Sequence, residues 1–264
     1  MIVRKSADEL ARMRAAGSVV VATLEAVRGA VRPGVATAEL DRLAEEMILS
    51  HGGVPAFKGY APRGMRAYPA SICTSINEEI VHGIPGPRRL VEGDILSVDC
   101  GVALDGYHGD AAITVAVGEV DSASRRLMEV TERSLGAAIQ RCRVGAHLSD
   151  IGNAVQKVVE AEGFAVVREY VGHGIGVAMH EEPAVPNYGP AGRGVKLQPG
   201  MVFAIEPMVN AGTWMTKVLD DGWTVATEDG SRSAHFEHTV AVTEEGPRVL
   251  TAPAEGDAGH GGGR

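Results

Sequence analysis

Cysteine is almost missing from this chain of 264 residues: Cys73, Cys100 and Cys142 are odd in number and show no Cys-x-x-Cys spacing. That excludes a disulfide scaffold and suits reduced thiols in a cytoplasmic setting. No stretch approaches the roughly 18 apolar residues of a membrane span. The opening Met-Ile-Val-Arg-Lys-Ser-Ala-Asp-Glu-Leu puts charge where a secretory leader needs an apolar run. Lys/Arg-rich runs of five or more are also missing, and the formal net charge is −9. The electrostatics that neutralise phosphate are therefore lacking, and no direct nucleic-acid partner is expected. What is present, 45% hydrophobic and 22% charged residues, is ordinary for a globular chain.

The first apolar pattern runs from 6 to 31 with three- and four-residue spacing, opening on Ser6 with Glu9 three positions on. This is a capping box, and it predicts a helix of about six turns closed by Arg32-Pro33-Gly34. A second helix is predicted over 37–50, with Leu40, Leu43, Met47 and Ile48 on one face and His51-Gly52-Gly53 as its stop. From Ser71 to Val117 short β-branched runs punctuated by Gly and Pro take over, notably 94–98 and 112–117, and read as strands.

The second half repeats the first. Arg32-Pro33-Gly34, Leu40 and Gly52 match Arg143-Val144-Gly145, Ile151 and Gly163 at one constant offset. Gly93 to Asp99 lines up with Gly200 to Glu206, Asp110 with Glu237, and His82 with His173, so the carboxylates recur in both copies. Two such units, roughly 6–117 and 122–245, are each too small to bury a sheet face and would pack around one core, giving a single domain over 1–250. The Gly-rich stretch 251–264 has no apolar period and reads as a disordered tail.

Acids at strand ends call for a chemical reason. Asp105-Gly106 is a hairpin turn signal. With those two residues as the loop, 101 faces 110, and Asp99 becomes a diagonal neighbour of Asp110 on the same face. Two carboxylates converging in a sheet repel, so a cation is expected between them. In the second copy Glu206 ends the apolar run 201–205, where a lone carboxylate is costly, and Glu237 matches Asp110. Together with a histidine, four carboxylates form a hard, oxygen-rich set that suits a dinuclear divalent site. His173 stands among glycines in Val-Gly-His-Gly-Ile-Gly, and His82 is its duplicate. His180 lacks the second histidine at the spacing of a zincin helix. Strand alternation sets His235 on the face of Glu237, either bonding behind the metals or facing solvent as an ordinary strand residue.

Five stretches then carry a family resemblance: Ser-Ile-Cys-Thr-Ser-Ile-Asn-Glu-Glu-Ile-Val-His-Gly-Ile-Pro (71–85), Asp-Gly-Tyr-His-Gly-Asp (105–110), Gly-His-Gly-Ile-Gly (172–176), Ile-Glu-Pro-Met-Val-Asn (205–210) and Asp-Gly-Trp-Thr-Val (221–225). Over about residues 2–250 the chain resembles the type I methionine aminopeptidases. The resemblance implies an α+β duplicated pita-bread fold, a pseudo-two-fold antiparallel sheet with helices on its outer face. It implies a hydrolase that removes initiator methionine when the second residue is small. Asp99, Asp110, His173, Glu206 and Glu237 match the family's metal ligands for two divalent ions (Co, Mn, Fe or Zn), with Asp110 and Glu237 bridging. Glu206 is implied as the proton shuttle, and His180 and His82 as the histidines at the scissile peptide. Tyr60, Tyr68, Cys73 and Trp223 match the methionine pocket. Phe57 stands there in place of a common cysteine, and Met179 in place of a common aromatic.

The segment 61–67 looks long for a compact relative and would reshape the entrance. By the family's size rule the bulky Ile2 would leave Met1 in place. The partners implied are the N-termini of nascent polypeptides, with ribosome association as a further expectation, and the chain is expected to be a monomer. Two other readings stay open. One is a pita-bread protein that has become a binding module, which would have lost ligands that are all present here; the other is a proline-directed peptidase.

Overall fold

Side-chain caps start the helices where the sequence offers them. In a computed structural model describing residues 2–62, 64 and 66–253, α1 (Ala7–Ala30) begins at Ser6, whose side chain accepts the Glu9 N–H while the Glu9 carboxylate takes the Ser6 N–H at 2.7 Å. α2 (Thr37–Ser50) follows, then α3 (Ser122–Ile139), capped by Asp121, and α4 (Leu148–Ala161). The first half adds β1 (Val54–Pro55), β2 (Cys73–Ile76), β3 (Glu79–Val81), β4 (Ile95–Leu104) and β5 (Tyr107–Ala116). The second half adds β6 (Ala165–Val166), β7 (Gly172–Gly174), β8 (Glu181–Val185), β9 (Val202–Ile205), β10 (Met208–Asn210), β11 (Thr216–Val218), β12 (Val225–Thr227), β13 (Ser233–His235), β14 (Glu237–Thr243) and β15 (Gly246–Val249).

The main sheet is antiparallel in the order β1-β4-β5-β14-β9-β7-β8, with β2 added on β4 and β15 on β14. Two three-stranded sheets, β13-β10-β6 and β11-β12-β3, flank it. This is the pita-bread arrangement that the sequence resemblance implies. Val20 and Leu24 of α1 and Leu40 and Ile48 of α2 pack on Val98, Cys100 and Val102 of β4. Leu127 of α3 and Val155 and Val159 of α4 pack on Phe203, Ile205 and Val240. Each such large aliphatic side chain contributes about 1.5–3 kcal/mol by leaving water.

The duplication is visible in the backbone. Gly34 and Gly145 (φ 90° and 85°), Gly52 and Gly163 (75° and 80°), and Gly93 and Gly200 (89° and 86°) occupy the same left-handed conformation. Gly34 donates to Leu90 O as Gly145 donates to Leu197 O, and Gly93 donates to Val117 O as Gly200 donates to Val242 O. At the starts of α2 and α4 the Ala36 N–H donates to Glu39 and the His147 N–H to Asp150.

The ordered packing runs a little past Leu250. Thr251, which sequence composition assigns to the tail, is buried, and its hydroxyl accepts the Thr239 N–H at 3.0 Å. The rest of the expected tail from 254 on, together with Met1, Arg63 and Met65, lies outside the described residues. Among those described, no helix is long and apolar enough to cross a membrane.

Candidate metal centre and active-site cavity

Register brings the acids together. Asp105 and Gly106 both have positive φ (49° and 79°), as a two-residue hairpin turn of the right twist demands. Gly101 therefore pairs with Asp110 and Asp99 with Ala112. Cys73, Asp99, Ala112 and Glu237 are successive partners across β2, β4, β5 and β14, so their side chains share one face. Ile205 pairs with His238, and the next residue, Glu206, continues toward Glu237. One row along, Ala204 pairs with His173. The Thr239 hydroxyl fixes the Asp110 peptide from both sides, accepting its N–H at 3.0 Å and donating to its carbonyl at 2.8 Å. Small residues at Gly101, Ala112 and Ala204 leave depth between the functional side chains. A Cβ on Gly101 would stand 2.6 Å from the Phe57 ring and 2.8 Å from Met179.

The electrostatics of this floor favour a cation. Burial pushes the Asp99 carboxyl up to about 7, and burial with mutual repulsion holds Asp110, Glu206 and Glu237 well above the ordinary carboxyl range. Buried oxygens on Asp99, Asp110 and Glu237 have no hydrogen-bond partner. His173 completes the set. Its Nδ1 lies 2.9 Å from the Gly174 carbonyl, which fixes the tautomer with Nε2 as an acceptor. That Nε2 faces Glu206 Oε1 at 3.5 Å and Asp110 Oδ2 at 3.8 Å. Burial lowers the His173 imidazole to about 4, so it is neutral at pH 7. An acceptor nitrogen facing acceptor oxygens is satisfied by a cation. Ligand atoms of Asp110, His173 and Glu237 lie within 4.8 Å of one another. The donors fit a divalent metal ion, being mostly hard oxygens with one imidazole nitrogen.

Above this floor is a cavity of about 310 Å³. Its lining includes Asp99, Asp110, His173, Glu206 and Glu237, the histidines His82 and His180, and the apolar wall of Phe57, Tyr60, Tyr68, Cys73 and Trp223. Of the residues singled out from sequence, Met179 and His235 are not on the surface of this cavity; Met179 is buried behind it, packed with Phe57. His82 adopts a left-handed backbone (φ 61°), uncommon for a residue with a Cβ and typical of side chains placed under constraint. Its ring meets Trp223 and Tyr170 edge-on, at 6.2 and 5.7 Å. The His180 ring stands 4.3 Å from His173 and 5.2 Å from Tyr60. Burial lowers both non-cluster imidazoles, His82 to about 4, so each presents a neutral ring.

The wall is held by local hydrogen bonds. Tyr68 donates its hydroxyl to the Gly83 carbonyl at 2.8 Å and stacks edge-on against Trp223 at 5.2 Å. Trp223 is set by Asp221, whose carboxylate accepts the Trp223 and Thr224 N–H groups, each at 2.8 Å. Tyr60 and Tyr68 close the 61–67 segment through a Tyr68 N–H to Tyr60 O bond, and Pro62 reaches the cavity.

Tyr170 is a cavity residue that the sequence reading missed; it lies three positions before His173, outside the quoted motif. His235 is buried, which excludes the solvent-facing alternative, and its Nε2 has no partner. The strand pairing is interrupted at Phe236, between β13 and β14. Thr114 grips the His235 peptide, accepting its N–H at 2.9 Å and donating to its carbonyl at 2.7 Å.

Comparison with known proteins sharpens this picture. The sequence pattern of metallopeptidase family M24 matches residues 11–244. A methionine aminopeptidase of Clostridium acetobutylicum is 52% identical over 252 residues, covering 95% of this chain and 99% of that protein. The crystal structure of a methionine aminopeptidase from Thermotoga maritima superposes with a TM-score of 0.93 at 44% identity, covering 96% of this chain and 100% of the other. A prolidase from Pyrococcus horikoshii shares the fold at 20% identity and a TM-score of 0.76, covering 96% of this chain and 64% of its own.

Proposed function

This chain belongs to metallopeptidase family M24, and on that premise we propose that it hydrolyses the first peptide bond of polypeptides beginning with methionine. The observation that carries the reading is a floor of four carboxyls, Asp110 and Glu237 buried and Asp99 and Glu206 half-buried, with one neutral imidazole under an apolar cavity wall. Asp99, Asp110, His173, Glu206 and Glu237 are the residues that would hold two divalent ions, the number whose charge offsets four carboxylates. Co, Mn, Fe and Zn all suit such donors. Bound there, divalent ions supply a polarised carbonyl and a water acidified far below its bulk value.

The chain's own groups do the rest. Glu206 accepts the proton of the attacking water and returns it to the leaving amine. His180, neutral and therefore carrying one N–H, donates to the substrate carbonyl oxygen as charge builds on it. His82 contacts the amide nitrogen of the next residue. Phe57, Tyr60, Tyr68, Cys73 and Trp223 surround the methionine side chain, with Met179 supporting Phe57 from behind. The Tyr170 ring beside His82 crowds the position of the second residue, which supports a preference for small residues there. Residues 1–250 act as one catalytic domain, working as a monomer in the cytoplasm on nascent chains as they leave the ribosome.

Release of methionine from Met-Ala-Ser with Co²⁺ or Mn²⁺ supplied, against an X-Pro peptide, tests this. Cleavage of the first peptide alone is expected. Cleavage of X-Pro alone would move the reading to a proline-directed peptidase, and cleavage of neither would end the hydrolase reading.

A further inference from the structure

A charged side chain lies buried just outside the cavity, and the proposed reaction does not use it. Lys5 precedes α1, and its side chain is only 2% exposed. Its Nζ meets Glu181 Oε2 at 2.5 Å, with the Val3 carbonyl as a weaker partner at 3.4 Å. Glu181 is the residue after His180 and the first of β8. Its other oxygen accepts the Ala178 N–H at 3.2 Å, closing the turn 178–181 that carries His180. Gly176 makes room for the pair, since a Cβ there would stand 2.4 Å from Lys5 Cε and 2.6 Å from Glu181 Oε1. The Lys5 N–H also donates to the Gly200 carbonyl at 2.6 Å, ahead of the strand that leads to Glu206.

We propose that Lys5 is a positioning residue for His180: through Glu181 it locks the turn that aims the imidazole at the scissile carbonyl. An apolar side chain would fill the same volume without a buried charge. What the ion pair adds is direction, because a buried carboxylate with one cationic partner has one favoured place to be. The His180 ring stands over His173 at 4.3 Å and beside Tyr60 at 5.2 Å, and its height above the floor depends on the backbone that Glu181 anchors. A shift of about 1 Å in such a group costs on the order of 10²-fold in rate. The inference rests on the proposed role of His180.

The test is steady-state cleavage of Met-Ala-Ser by the metal-loaded full chain carrying Lys5→Met, Lys5→Arg, His180→Ala and the Lys5→Met/His180→Ala pair, with metal content and thermal melting measured on each. Lys5→Met is expected to lower kcat about 10- to 100-fold with KM within about threefold and metal content unchanged. Lys5→Arg should recover most of that loss. In the His180→Ala background Lys5→Met should cost nothing further, since a residue acting through another has no effect once the other is gone. Wild-type kcat in Lys5→Met, or losses that multiply in the double variant, would overturn the proposal. If His180→Ala itself keeps wild-type kcat, both the proposal and the role of His180 fall; if His180→Ala is impaired and Lys5→Met is not, the proposal alone falls. Should Lys5→Met not fold, Glu181→Gln carries the test with the same expected split, because it keeps the shape and the acceptor for Ala178 while removing the charge.

Discussion

The two halves make the same floor by different connections. In the first, β4 and β5 are joined by Asp105-Gly106 alone, so Asp99 and Asp110 sit on one continuous hairpin. In the second, the equivalent strands β9 and β14 are separated by residues 206–236, an excursion that forms β10 to β13 and carries Trp223. Strands at equivalent places in the two halves thus set carboxylates on one face of the sheet, while most of the apolar wall comes from the connections between elements. Phe57, Tyr60 and Tyr68 lie between α2 and β2, and Trp223 lies in the excursion. The histidines diverged likewise. His173 turns an acceptor nitrogen to the acids, whereas His82, its sequence counterpart, stands among aromatic rings. Both halves supply carboxylates to the floor, and the wall takes Phe57, Tyr60, Tyr68 and Cys73 from the first and Trp223 from the second.

The largest test of that division is Asp110→Ala beside Glu237→Ala. If both halves supply the cluster equally, each should lose bound metal and at least about 10³-fold in methionine release, several kcal/mol of transition-state stabilisation. Normal metal occupancy in either variant, measured by elemental analysis, would contradict its assignment. Trp223→Ala should separate the two functions, leaving metal content intact while kcat/KM for Met-Ala-Ser falls about 10- to 200-fold, the scale on which an apolar pocket discriminates.

A smaller effect concerns protein stripped of metal by a chelator. An acid whose folded-state value lies above its unfolded one binds its proton more tightly when folded. Stability of the stripped protein should therefore fall as pH rises from the ordinary carboxyl range through about 7, the Asp99 value. Thermal melts should drop on the order of 5 °C between pH 5.5 and 8, and restoring metal should flatten the slope; a melt that rises with pH would refute the electrostatic account. Smallest is the symmetry of the turns. Gly34→Ala and Gly145→Ala place a Cβ at φ 90° and 85° and should each cost about 1–2 kcal/mol in urea denaturation. A difference between them larger than about 1 kcal/mol would show that the halves are not mechanically equivalent.

Much of the floor was legible because its cues are local or repeated. The Ser6/Glu9 box, the Asp-Gly turn that sets Asp99 diagonal to Asp110, and glycines recurring in both copies each fix geometry over a few residues. The wall was harder to read. β10 to β13 are three-residue strands, too short for alternation to announce them, and Phe236 interrupts the period on which the placement of His235 was argued. Tyr170 and Lys5 reach the site only through contacts distant in sequence, 88 and 176 positions from His82 and Glu181 respectively, and no local pattern encodes such meetings. Met179 lies one layer behind the cavity because Gly101 leaves a gap there, a packing detail that composition does not contain.

The position of β14 in the chain has a consequence for synthesis. It is the strand that joins β5 of the first half to β9 of the second, and at Glu237–Thr243 it is made after both of them. While translation proceeds, β5 waits with an open hydrogen-bonding edge and two acids whose remaining companions have not been made. The main sheet can close only after β14 has been made, and until then the edge of β5 is open to pairing with another strand.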